Sequence, residues 1–140
     1  MDVYTGVVYP LVLIACAVLA VAGLAALAWP RLHRALTLIT PAAFVAAGVQ
    51  AITVVTLLLS GVDADMILAL GYLIASVALL ALLGIGRLGT PEAAAGDPDP
   101  SRPVLSPLQI ARVDAAAASI VAIALAVVSW RIYVILETAA

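Results

Sequence analysis

Gln50, Thr53 and Thr56 put one amide and two hydroxyls inside a stretch that is otherwise apolar. Polar groups so placed either line a path for a solute or bond to a neighbouring helix. The second use is the commoner one and contributes about 0.6 kcal/mol per bond in a membrane, so an interhelical contact is expected, with a transport path as the alternative. Arg131 comes next, because an ionisable group within an apolar span marks a functional site by default. It stands near the end of its span, where an arginine can extend its head to the interface, and Trp130 and Tyr133 accompany it. The roles open to it are anchoring, an ion pair with Asp63 or Asp65, or contact with a partner subunit, a lipid or a substrate.

His33 is the single histidine and sits in the basic turn Arg31-Leu32-His33-Arg34. Haem ligation within a helix bundle uses axial ligands in the spans, and the chain has no second histidine to complete a pair. Contact with headgroups or plain solvation is the expected role. Cys16, the single cysteine, lies in an apolar run and reads as a small packing residue. His33, Asp114 and the arginines near them could meet at one interface, but no spacing among them supports a named chemistry. No catalytic, cofactor-binding or metal-ligating residue is assigned, no cofactor is expected, and the chain is not expected to be an enzyme.

The elements that carry these residues are helices in a bilayer. The 140-residue chain is 66% hydrophobic and 10% charged, against about 45–50% and about 25% in soluble domains. Four apolar stretches, residues 7–29, 37–60, 66–86 and 114–136, each reach the roughly 20 residues that cross a bilayer. The fold class expected is all-α, a polytopic membrane protein of one domain with four transmembrane helices in an up-down bundle. The amino terminus lacks the basic region of a signal peptide, so the first span is expected to be retained. A net charge of −2 does not suggest a nucleic-acid partner.

Proline and glycine punctuate the spans. The first stops at Trp29-Pro30. The second either begins at Pro41 behind a Thr40 cap or starts near Arg31, enters from the interface and is kinked at Pro41; the kinked or interface version is favoured. Residues 88–105 contain Pro91, Gly96, Pro98, Pro100 and Pro103 with three acids and are expected to form a disordered loop. Ser106-Pro107-Leu108-Gln109 has the pattern of a capping box. A helix from Pro107 to Glu137 would be about 46 Å long, more than a core of about 30 Å requires.

Arg31, Arg34, Arg87, Arg102 and Arg112 fall in two loops on one side, and Arg131 lies toward the other. By the positive-inside rule, loops 30–36 and 87–113 are cytoplasmic and both termini lie outside. Arginine without lysine, together with heavy alanine use, points to a bacterial inner membrane. Tyr4, Tyr9, Trp130 and Tyr133 would form an outer aromatic belt, and Trp29 an inner one.

Helices in lipid associate through small residues that let backbones approach. Ala115, Ser119, Ala122, Ala126 and Ser129 repeat at steps of four and three and form such a stripe on the last helix. Arg131 points away from it. Ala43, Ala47 and Ala51 offer a second stripe, Gly71, Ala75 and Ala78 a third, and Cys16 with Ala20 a fourth. The function expected is a non-catalytic accessory or assembly subunit of a larger membrane complex of respiratory, secretion or transport type. A small homo-oligomeric transporter or channel is the alternative. The partners are the lipid bilayer and either other membrane subunits or further copies of the chain.

Overall fold

A computed structural model describes residues 1–139 of the protein. Helix accounts for 81% of it, and no strand occurs among the described residues. After a π-helical turn, Tyr4–Val8, the chain forms α1 (Tyr9–Ala28), α2 (His33–Leu59), α3 (Met66–Leu80), the short α4 (Pro91–Ala95) and α5 (Pro107–Glu137). The wide first turn precedes Pro10, whose nitrogen has no hydrogen to donate to Gly6 in a regular helix.

Three segments are long and apolar enough to cross a membrane: Tyr4–Ala28, Pro30–Leu59 and Pro107–Glu137. The third expected span differs. Its regular helix stops after 15 residues at Leu80, below the roughly 20 that a bilayer needs. From Leu82 onward the amides bond three residues back, and the chain turns at Gly84 with a φ of 72° before the 3-10 helix Ile85–Gly89. A positive φ is open to glycine because no Cβ obstructs it.

Pairs of contacts fix the helix directions. Tyr9 stacks on Tyr133 at 4.6 Å, while Gly23 meets Ser119, so α1 and α5 run antiparallel. Tyr72 meets Arg131 and Gly86 meets Asp114, so α3 is antiparallel to α5 as well. Gln50 pairs with Ser129 and His33 with Asp114, which makes α2 and α5 parallel. The order is up-down-up-down. Along α5 the 17 residues from Asp114 to Arg131 rise roughly 26 Å, and α3 with its 3-10 tail reaches both levels.

The closest seam lies between the first and last long helices. Val12, Cys16, Leu19, Gly23 and Ala26 of α1 are buried at steps of four and three, the spacing that keeps residues on one helix face. The stripe expected on α5 faces inward: Ala115, Ser119, Ala122 and Ser129 are buried, and Ala126 packs at the margin of the core. On α2, Ala43 and Ala47 are buried and Ala51 is half-buried. The α3 stripe turns the other way, because α3 buries Ala69, Leu73, Ser76 and Leu80 and leaves Gly71 and Ala78 exposed.

α2 passes through Pro41 without interruption, the interface-entry version of the second span. Proline costs it one backbone bond, to the carbonyl of Thr37. Ser106 and Gln109 form the expected capping box at the start of α5. Residues 88–105, expected to be disordered, carry α4 and a set of ties instead. Thr90 caps α4, the Leu105 amide donates to the Gly89 carbonyl at 2.8 Å, and Arg102 donates to the Leu88 carbonyl and to Asp97. These polar bonds substitute for the apolar burial that the segment's composition denies it.

Candidate functional site

Gln50 is 1% exposed and sits where two apolar layers meet. Ala47 and Leu125 belong to the layer on one side, Val54 and Ile132 to the layer on the other. Its Nε2 donates to the Tyr4 hydroxyl at 3.2 Å, and its Oε1 accepts from Ser129 Oγ at 2.9 Å. The amide thus joins the first turn of the chain, α2 and α5 in a layer that is closed to solvent. A buried polar group without partners costs about 1–3 kcal/mol, and this arrangement removes that cost for three residues at once.

Thr53 and Thr56 do not join Gln50. Their hydroxyls donate to the carbonyls of Val49 and Ile52, each at 2.8 Å, on a half-buried and an exposed face of α2. Such bonding within a helix is the usual way a hydroxyl is satisfied there. The three polar residues that could have lined one path therefore serve separate bonds, Gln50 between helices and the two threonines within their own.

Arg131 points outward, as the angle from the α5 stripe requires. Its Nε donates to the Tyr72 hydroxyl at 3.3 Å, and the guanidinium carbon lies 6.0 Å from the centre of the Tyr72 ring, the outer limit of a cation–π contact. No ion pair joins it to Asp63 or Asp65 among the described residues; the pairs there are His33 with Asp114 and Arg102 with Asp97. Trp130 is half exposed. Tyr133 is turned inward onto Tyr9, and its hydroxyl donates to Glu137 at 2.9 Å.

Tyr4 corrects the expected aromatic belt. It is 1% exposed, not interfacial, because the wide turn before Pro10 directs it at Gln50. A tyrosine fully buried in this way needs a partner for its hydroxyl. Its position 46 residues before that partner left no local signal of the pairing.

His33 and Asp114 do meet. His33 Nε2 lies 3.0 Å from Asp114 Oδ2, and Asp114 Oδ1 accepts from the Gly86 amide at 2.7 Å. One carboxylate therefore holds the start of α2, the tail of α3 and the start of α5. Gly86 is required there, since a Cβ would stand 2.6 Å from Asp114 Oδ1 and 2.9 Å from the Ile110 carbonyl oxygen. The adjoining cavity measures about 30 Å³, an order of magnitude below the roughly 300–1,000 Å³ of ligand sites. Thr37 and Thr40 line it, and both hydroxyls already donate to carbonyls of α2. The geometry is that of a tie between helices. Among the described residues no three histidine, cysteine or acidic side chains converge in a way that could hold a metal ion.

Comparison with family models, with curated proteins and with solved structures finds no match to this chain.

Proposed function

We propose that the protein is a non-catalytic accessory or assembly subunit of a larger complex in a bacterial inner membrane, spanning it four times with both termini outside. The observation that carries this reading is the outward face of α3. Gly71 and Ala78 are exposed and Ala75 half-buried, and a Cβ at Gly71 would meet nothing within 4 Å. Small residues on a lipid-facing surface allow another helix to approach closely. Beside them runs a groove of about 450 Å³ lined by Asp65, Leu68, Gly71, Tyr72 and Ala75, with Arg131 on Tyr72 at its rim. A helix from a partner subunit fits that surface better than a solute does.

The fourth span in this proposal is α3 with its 3-10 tail, supported by its contacts with α5 at both the Asp114 and Arg131 levels. The orientation rests on Arg31, Arg34, Arg87, Arg102 and Arg112, which gather at the end proposed as cytoplasmic.

The test is a photoreactive side chain introduced at Ala75, activated in intact membranes and followed by identification of the product. Crosslinking to one defined membrane subunit, which also copurifies in mild detergent, is the expected result. Crosslinking only to further copies of this chain, with a pure homo-oligomer in detergent, would overturn the subunit reading and favour a small transporter or channel. For orientation, Asp63→Cys in a Cys16→Ala background is expected to react with an impermeant reagent in intact cells. Reaction only after permeabilisation reverses the topology.

A further inference from the structure

The bundle carries a second groove, on the face shared by α1 and α2. Val18, Val21 and Ala25 of α1, Leu32 of the 3-10 turn Pro30–Leu32, and Ala35 and Ile39 of α2 line a trough of about 450 Å³. Its floor is low because Ala17, Ala22, Ala25 and Ala35 stand where larger side chains would fill it. A further trough of about 540 Å³ continues from Val18 and Ile39 toward Leu11 and Ala46. Along α1 the lining of the first trough runs from Ala17 to Ala25, about 12 Å at about 1.5 Å per residue, most of one leaflet of a hydrocarbon core of about 30 Å.

Two arginines stand in the chain beside the end of that trough. Arg31 precedes the trough-lining Leu32 in the 3-10 turn Pro30–Leu32. Arg34 precedes the trough-lining Ala35 in the first turn of α2. Both are exposed, and neither is in an ion pair among the described residues. The nearby carboxylate of Asp114 is already engaged by His33 and Gly86. The first turn of α2 holds no acid, and no side chain caps it. Two arginines at this end of a helix add to the positive pole of its dipole, the unfavourable placement unless an anion is bound.

We propose that this groove is a site for one anionic phospholipid, with an acyl chain in the trough and the phosphate on Arg31 and Arg34. An apolar trough with two unpaired guanidinium groups beside its end matches an amphiphile with a phosphate head, and basic pockets between helices are known to take such headgroups. Trp29, exposed at the same level, flanks the headgroup position. The site lies on the α1/α2 face, apart from the α3 surface assigned to a protein partner, and stands or falls independently of it.

Trp29 supplies the readout. The chain has two tryptophans, so Trp130→Phe leaves Trp29 as sole emitter. That variant is reconstituted in phosphatidylcholine vesicles doped with phosphatidylglycerol brominated near the top of its chains, or with equally brominated phosphatidylcholine at the same mole fraction. The expected result is a preference of about fivefold or more for the anionic quencher. It is expected to fall to parity in Arg31→Gln/Arg34→Gln. Filling the trough with Ala35→Phe, which leaves both arginines intact, is also expected to abolish it. Equal quenching by the two lipids, or a preference that survives either variant, overturns the proposal. Absence of quenching by both lipids also overturns it, since Trp29 would then be covered by a second copy or another protein.

Discussion

Gly23 of α1 and Ser119 of α5 are in such close contact that a Cβ on Gly23 would fall 2.5 Å from Ser119 Oγ and 3.0 Å from the Ala115 carbonyl oxygen. The Ser119 hydroxyl is held by its own bond to that carbonyl at 2.9 Å. Glycine here serves close approach, not an unusual turn. In lipid such approach replaces the hydrophobic drive that packs helices in water.

Gly23→Ala is accordingly expected to force α1 and α5 apart and to cost about 1–3 kcal/mol, the usual range for overpacking. Gly71→Ala, in the interior of α3 on its open face, is expected to stabilise the isolated protein by up to about 1 kcal/mol, the helix-propensity gain of alanine over glycine. Reversible unfolding in mixed micelles measures both. Equal effects at the two positions would contradict the packing described.

Gln50→Leu removes the partner of two buried hydroxyls. Ser129 can turn to a carbonyl of its own helix, as serines in helices do; Tyr4 has no such recourse. The expected loss is about 1–2 kcal/mol. Adding Tyr4→Phe to Gln50→Leu is expected to recover part of it, a coupling that a double-mutant cycle measures. Thr56→Val, whose hydroxyl bonds within its own helix, is expected to change stability by less than about 0.5 kcal/mol.

Asp114→Ala breaks the bonds to His33 and Gly86 together and is expected to cost about 1–3 kcal/mol. Asp114→Asn retains a carbonyl oxygen for the Gly86 amide and is expected to cost less. Cysteines placed at positions 33 and 114 in a Cys16→Ala background report the geometry by crosslinking. Similar losses for the two substitutions would show that charge, not the shared carboxylate shape, holds the tie.

Asp97 gives a pH prediction outside the spans. The Asp99 amide and then the Arg102 guanidinium hold its carboxyl below the ordinary value of 3.8. A lowered folded-state pKa means that the ties of the loop are fully present above the ordinary value and are lost as pH falls through the lowered one. Carboxyl carbon NMR is expected to show Asp97 titrating below an unpaired aspartate. Arg102→Gln is expected to raise it only part of the way, because the Asp99 amide remains. A midpoint at the ordinary value would refute the loop structure.

Local signals in the chain were the readable ones. The capping box at Ser106 and Gln109 spans three residues, and the α5 stripe repeats within one helix, so both are visible without knowledge of any neighbour. Direction is not. The spacing of Gly71, Ala75 and Ala78 defines a face of α3 as clearly as that of Ala115 to Ser129 does on α5, yet one faces out and the other in. The difference lies in what the rest of each helix buries: Leu73 and Leu80 on α3 make the opposite face the inner one. Gln50 was recognisable as a polar contact, but Ser129 is 79 residues away and nothing local marks it. Helix length was misleading for α3, because the regular helix ends at Leu80 and the chain turns at Gly84 inside an unbroken apolar run.

Pairing the first long helix with the last has a consequence for biosynthesis. Gly23 and Ser119 are 96 residues apart, and at about 5–20 residues per second the ribosome needs roughly 5–20 seconds to bridge that interval. Throughout it, the glycine-centred face of α1 has emerged without its native counterpart. The bundle cannot close progressively from its amino-terminal end; it closes when the last helix arrives. A chain cut short before α5 would leave α1 in the membrane with its closest-packing surface open, recognisable to whatever removes unfinished proteins.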